Sequence, residues 1–131
     1  MTTTRSFNYF FKQNKKGILM KVYDVVKVLK INEDCKQEGI TEGTLGRIIQ
    51  GEIRDNCFYV LFRDPKDPDD YVFAPISIED LELVEEGPAT DDWILQELPK
   101  NDPRWWCKVE NGYILNLKGE RKNKIPYDYN S

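Results

Sequence analysis

The chain of 131 residues contains no histidine, and that absence decides most of the chemistry open to it. Histidine is the commonest general base near neutral pH, the usual activator of serine and cysteine nucleophiles, and a frequent zinc ligand. The three serines, Ser6, Ser77 and Ser131, sit in no Gly-x-Ser-x-Gly elbow. Gly43-Thr44-Leu45-Gly46 is too sparse for a phosphate-binding loop and reads as turn and bulge geometry. Three cysteines, Cys35, Cys57 and Cys107, are too few and too scattered for a disulfide framework or a zinc site. They read as reduced thiols of a cytoplasmic protein. The 23 acidic residues offer carboxylate pairs, but they lie in polar runs, where burial does not raise a carboxyl pKa for acid–base work. Asp64, Asp67, Asp69 and Asp70 supply oxygen atoms without the glycine and terminal glutamate of a calcium loop, and Pro65 and Pro68 stiffen the run. The expectation is a protein without catalytic residues, metal or cofactor.

What remains is recognition, and the charge distribution says of what. Residues 1–30 carry seven basic side chains against Asp24 alone; residues 31–99 carry five basic and 18 acidic; residues 100–131 carry seven basic and four acidic. So acidic a centre repels phosphate backbones and attracts a basic protein surface. Tyr9, Phe10 and Phe11 beside Lys12, Lys15 and Lys16 offer stacking and phosphate pairing. The competing reading has those aromatics pinning an arm to the core. No run approaches the ~20 apolar residues that span a bilayer. Residues 1–17 lack the continuous apolar stretch and cleavage site of a secretory signal.

Five strands are expected to carry the centre of the chain. Residues 21–31 are rich in β-branched side chains and alternate toward their end. A polar loop over 32–43 follows, then a second strand over 44–50 in which Gly46 marks a bulge or a close crossing. Cys57-Phe58-Tyr59-Val60-Leu61-Phe62-Arg63 is nearly continuous in apolar side chains, as befits a central strand covered on both faces. Residues 64–70, with two prolines and four aspartates, break the pattern as a loop. Strand four spans 71–76, a single 3₁₀ turn 77–81, and strand five 82–86.

Beyond Gly87-Pro88 the pattern changes. Residues 91–98 suit a short helix stopped by Pro99. Residues 105–117 form a hairpin about Asn111-Gly112, with Glu110 facing Tyr113 and Val109 facing Ile114. Gly112→Val is expected to cost about 1 kcal/mol or more through the positive φ it forbids; an unchanged denaturation midpoint would contradict that turn. Trp105 and Trp106, adjacent on one strand, point to opposite faces. The tail from Lys118 is polar and basic and reads as loose.

Tyr23-Asp24-Val25-Val26, Gly43-Thr44-Leu45-Gly46-Arg47-Ile48 and Asp80-Leu81-Glu82-Leu83-Val84 resemble the opening, middle and closing motifs of an uncharacterised family of small bacterial SH3-like barrels. The likeness covers about half the chain and lies in turns and barrel closure, so it bears on fold more than on function. It implies a mainly β protein. A basic, aromatic arm spans 1–19, an SH3-like five-stranded barrel 20–86, and a C-terminal extension 87–131, its short helix and hairpin packed on the barrel. Relatives of this kind often stand near toxin genes, which implies an immunity or antitoxin role in the cytoplasm, neutralising a basic toxin domain such as a nuclease. The expected partner surface is Asp64, Asp67, Asp69, Asp70, Glu79, Glu82, Glu85, Asp91, Asp92 and Trp93. Trp93 is either the anchor of that interface or the residue packing the extension onto the barrel. Measuring stability and partner dissociation on Trp93→Ala separates the two. The rival functions are a nucleic-acid- or ribosome-associated module using the basic arm, and a peptide-binding adaptor.

Overall fold

The computed structural model describes residues 12–54, 56–87, 108–110, 113–116 and 118–124. The protein is mainly β, with one short helix among these residues. Its centre is an antiparallel sheet of five strands in the order β6-β5-β4-β3-β7. These are β3 (Val25–Val28), β4 (Leu45–Arg54), β5 (Cys57–Asp64), β6 (Asp67–Ser77) and β7 (Leu81–Glu85). The five strands expected to close a barrel form an open sheet instead: β6 and β7 are its two edges, and no ladder joins them among the described residues.

The apolar run in β5 lies at the heart of this sheet. Phe58, Val60 and Phe62 are fully buried on one face, and Leu61 is buried on the other. Each such side chain contributes about 1.5–3 kcal/mol relative to exposure. Gly46 lies opposite this strand, where an added Cβ would come within 2.6 Å of both the Phe62 ring and Val60. What approaches closely here is a pair of side chains rather than the backbone crossing expected, and a residue without a side chain makes room for them.

Several boundaries differ from the sequence reading, each for a local reason. The first strand of the sheet covers only 25–28, because Tyr23 turns the chain with φ of 79°. The loop over 32–43 holds helix α1 (Glu33–Glu38). Its N-cap is Asn32, whose side chain accepts from the Cys35 N–H at 2.9 Å, and it ends at Gly39 in the left-handed region. The Asn32 amide also donates to Pro75 O at 2.8 Å, tying the helix to β6. The proline-rich run is no long loop: the chain reverses at Pro65 and Lys66, and β6 begins at Asp67. Proline is tolerated because β6 is an edge strand, where a missing N–H breaks no second ladder. The 3₁₀ turn occurs as expected, at Ile78–Asp80, with the Ser77 hydroxyl accepting from Glu79 N–H at 3.2 Å.

Part of the expected N-terminal arm is a small hairpin of β1 (Lys12–Gln13) and β2 (Leu19–Met20). Asn14 Oδ1 shapes its turn by accepting from the N–H groups of Lys16 and Ile18. Met20 is fully buried, so the hairpin belongs to the same core.

The C-terminal strands β8 (Lys108–Glu110) and β9 (Tyr113–Leu115) pair in the expected register, Val109 with Ile114 and Glu110 with Tyr113. The tail expected to be loose supplies a third strand, β10 (Arg121–Lys124), paired with β9. Asn116, itself buried, organises the intervening turn: its Oδ1 accepts from Lys118 and Glu120 N–H at 3.0 Å each. The helix expected over 91–98, the turn residues Asn111 and Gly112, and the two adjacent tryptophans lie outside the described residues.

Candidate protein-binding surface

The acidic side chains singled out in the sequence fall into two groups on opposite edges of the sheet. The first surrounds the β5–β6 reversal. Asp64 accepts from Lys66 N–H at 2.9 Å, Asp67 from Asp69 N–H at 3.2 Å, and Asp70 from Tyr71 N–H at 2.8 Å. Short polar side chains serve here as turn formers, each holding the backbone just beyond it. Asp67 also pairs through its other oxygen with Lys118 Nζ at 3.2 Å, linking the β9–β10 turn to this corner. That hydrogen bond, and then the charge of Asp67, hold the Lys118 ammonium above the ordinary lysine pKa. Asp69 is exposed.

The second group lines η1 (Ile78–Asp80) and β7. Both carboxylate oxygens of Glu79 accept from Lys15 N–H, at 3.1 and 3.0 Å, which fastens the N-terminal hairpin beside the sheet. Glu82 faces its cross-strand neighbour Lys27 at 3.3 Å. An exposed pair of this kind contributes about 0–1 kcal/mol and leaves the carboxylate open to a better partner. Glu85 is exposed at the end of β7. Asp91, Asp92 and Trp93 lie outside the described residues.

Between the hairpin turn and β7 opens a groove of about 450 Å³. Asn14, Lys16 and Ile18 form one wall; Leu29, Leu81 and Leu83 form the other with Glu79 and Glu82. Ile18 and Leu29 are 42% and 44% exposed. The volume falls in the range of about 300–1,000 Å³ found for binding clefts. Sequence reasoning passed over Ile18, which belongs to no alternating or helical pattern, and placed Leu29 inside the strand expected over 21–31, whereas the strand ends at Val28. The pair Ile18-Leu19 just after a glycine was the one available signal.

Beside the acidic edge a buried clasp fixes where β7 leaves the sheet. Asp24 is 1% exposed and accepts from Lys21 N–H at 3.0 Å, Lys21 Nζ at 2.6 Å and Gly87 N–H at 2.8 Å. The same ammonium donates to Gly87 O at 2.7 Å. Gly87 sits so close that an added Cβ would lie 1.9 Å from Tyr23 O. The Tyr23-Asp24 pair is therefore a structural device of the β2–β3 turn.

Burial pushes the thiol of Cys35 above its ordinary pKa, with the charges of Asp34 and Asp80 adding to the shift. A protonated, buried thiol is a poor nucleophile. Among the described residues no group of three or more Cys, Asp or Glu could hold a metal ion, and no helix is long and apolar enough to cross a membrane. Comparison with protein-family models, curated proteins and solved structures found no match.

Proposed function

We propose that this protein is a non-catalytic binding module that neutralises a basic protein partner, in the manner of an immunity protein acting on a toxin domain, with a nuclease as the first candidate. The observation carrying this reading is the segment 64–87. It forms both edge strands and the 3₁₀ turn between them, and holds nine acidic side chains against Lys66 alone. Such a concentration of one sign on the rims of a small sheet raises the encounter rate with a basic partner and disfavours acidic ones. The strand order β6-β5-β4-β3-β7, with a 3₁₀ turn leading into the last strand, supports the SH3-like reading of the core. A cytoplasmic setting fits the free, buried thiol of Cys35.

The same charge distribution predicts that the isolated protein does not bind nucleic acid tightly. In fluorescence anisotropy with labelled single- and double-stranded DNA and RNA, no salt-sensitive submicromolar complex is expected. Such a complex would overturn the neutraliser reading in favour of a nucleic-acid module. The expected genetic context is a toxin gene directly beside this one.

A further inference from the structure

We infer that the β1–β2 hairpin is a movable wall of the groove, anchored at Met20, caught at its turn by Glu79, and able to swing as a unit while the sheet stays folded. Met20 is fully buried in the core. Gln13 and residues 15–19 are exposed, and Asn14 is half-buried. Segments that bury little surface open at a lower free energy than the core they adjoin. Strands of two residues add little to hold this one, since even a longer isolated hairpin is marginal in water.

The turn carries its own hydrogen bonds and can move without losing them. Asn14 N–H donates to Ile18 O at 3.0 Å, and Gly17 N–H to Asn14 O at 2.9 Å. Asn14 Oδ1 accepts from Lys16 and Ile18 N–H, and the Gln13 side-chain amide donates to Gly17 O at 3.0 Å. Lys15 N–H is directed differently, out of the turn and onto both carboxylate oxygens of Glu79. A hydrogen bond to a charged acceptor is among the stronger single ones.

The acceptor side of this catch is fixed. Glu79 sits in η1, where its own N–H is taken by the Ser77 hydroxyl and Leu81 N–H closes the turn onto Ile78 O. Lys16 and Ile18 line the groove on the hairpin side, and Leu29, Leu81 and Leu83 line it opposite. The bond from Lys15 to Glu79 therefore sets the groove's width. Its release is a hinge motion that makes room for a larger side chain than the closed form takes. The device belongs to the free chain, so it can fail without touching the reading of the acidic surface as a site for a basic protein.

The test compares the full chain with Glu79→Ala and Glu79→Gln by amide hydrogen exchange and nitrogen-15 order parameters. In Glu79→Ala the Lys15 N–H is expected to exchange about tenfold faster or more. Order parameters over 15–18 should fall together, from the rigid range near about 0.85 toward about 0.6 or below. Exchange at Gly17 and Ile18, bonded within the turn, and at Val60 in β5 should keep its rate. Glu79→Gln, which retains one carbonyl acceptor, should raise the Lys15 rate less. Unchanged exchange at Lys15 in Glu79→Ala would overturn Glu79 as the catch, as would a glutamine variant exchanging as fast as the alanine one. Unchanged order parameters would overturn the swing. Faster exchange at Gly17 and Ile18 would overturn it as an unravelling of the turn, and faster exchange at Val60 as an opening of hairpin and sheet together.

Discussion

Asp24→Ala is expected to lower the stability of the protein by about 3–5 kcal/mol, the usual cost of removing one partner of a buried ion pair. The Asp24 side chain is 2% exposed and that of Lys21 13%. Its loss strands the Lys21 ammonium and leaves the N–H groups of Lys21 and Gly87 without their acceptor. Against a total of about 5–15 kcal/mol for an ordinary domain, this is a large share. The denaturation midpoint reads the effect directly. Gly87→Ala provides an independent check, because a Cβ at 1.9 Å from Tyr23 O cannot be relieved by moving a side chain. A loss below about 1 kcal/mol for Asp24→Ala would show that the clasp holds no more than an exposed pair does.

The second large effect concerns encounter with the partner. Replacing Asp67, Asp69 and Asp70 together by Asn is expected to lower the association rate by about tenfold at low salt and to flatten its dependence on ionic strength. Dissociation should change less, since rim charges act mainly before contact. The structure makes this replacement a clean one. Asp67 and Asp70 each accept a neighbouring backbone N–H through one oxygen, and an asparagine carbonyl can accept the same bond. The β5–β6 reversal should therefore persist while its charge disappears. Lys118 loses its ion-pair partner, so the corner also gains an unopposed cation. Stopped-flow association at several salt concentrations separates the two rate constants. An unchanged association rate would remove this corner from the binding surface.

The elements legible in the sequence are those whose residues answer to one strong constraint. The continuous apolar run 57–63 had to be a central strand, and Asn111-Gly112 set the register of the pairs around it, as Val109 opposite Ile114 shows. Gly46, a glycine inside a strand pattern, announced either a bulge or a close approach, and the structure shows the approach, of the Phe62 and Val60 side chains. Helix α1 escaped detection because it is six residues long and buries Cys35 alone, too short for a period to emerge. Strand β10 reads Arg-Lys-Asn-Lys and shows no apolar alternation; its pairing with β9 follows from the turn that Asn116 builds. Pro65 and Pro68 argued for a loop, a rule that holds inside a sheet and relaxes at an edge, which the sequence does not mark.

Of the acids expected to share one surface, the strand order divides the described ones between two places, with Asp64, Asp67, Asp69 and Asp70 about the β5–β6 reversal and Glu79, Glu82 and Glu85 along η1 and β7. Local sequence carried the charge but not its partition, because the order of strands in a sheet depends on pairings distant along the chain. The apolar groove was invisible for the same reason: Ile18, Leu29 and Leu83 come from separate elements and meet only in the folded protein.

The most direct measurement pairs the purified chain with the toxin domain proposed to be encoded beside its gene and follows that domain's activity as the chain is added at increasing salt. The account predicts inhibition that saturates at one chain per toxin domain, formed more slowly as salt rises and slowed likewise by the Asp67, Asp69 and Asp70 replacements. Full toxin activity in the presence of excess chain, or inhibition whose rate is indifferent to salt and to those replacements, would contradict it.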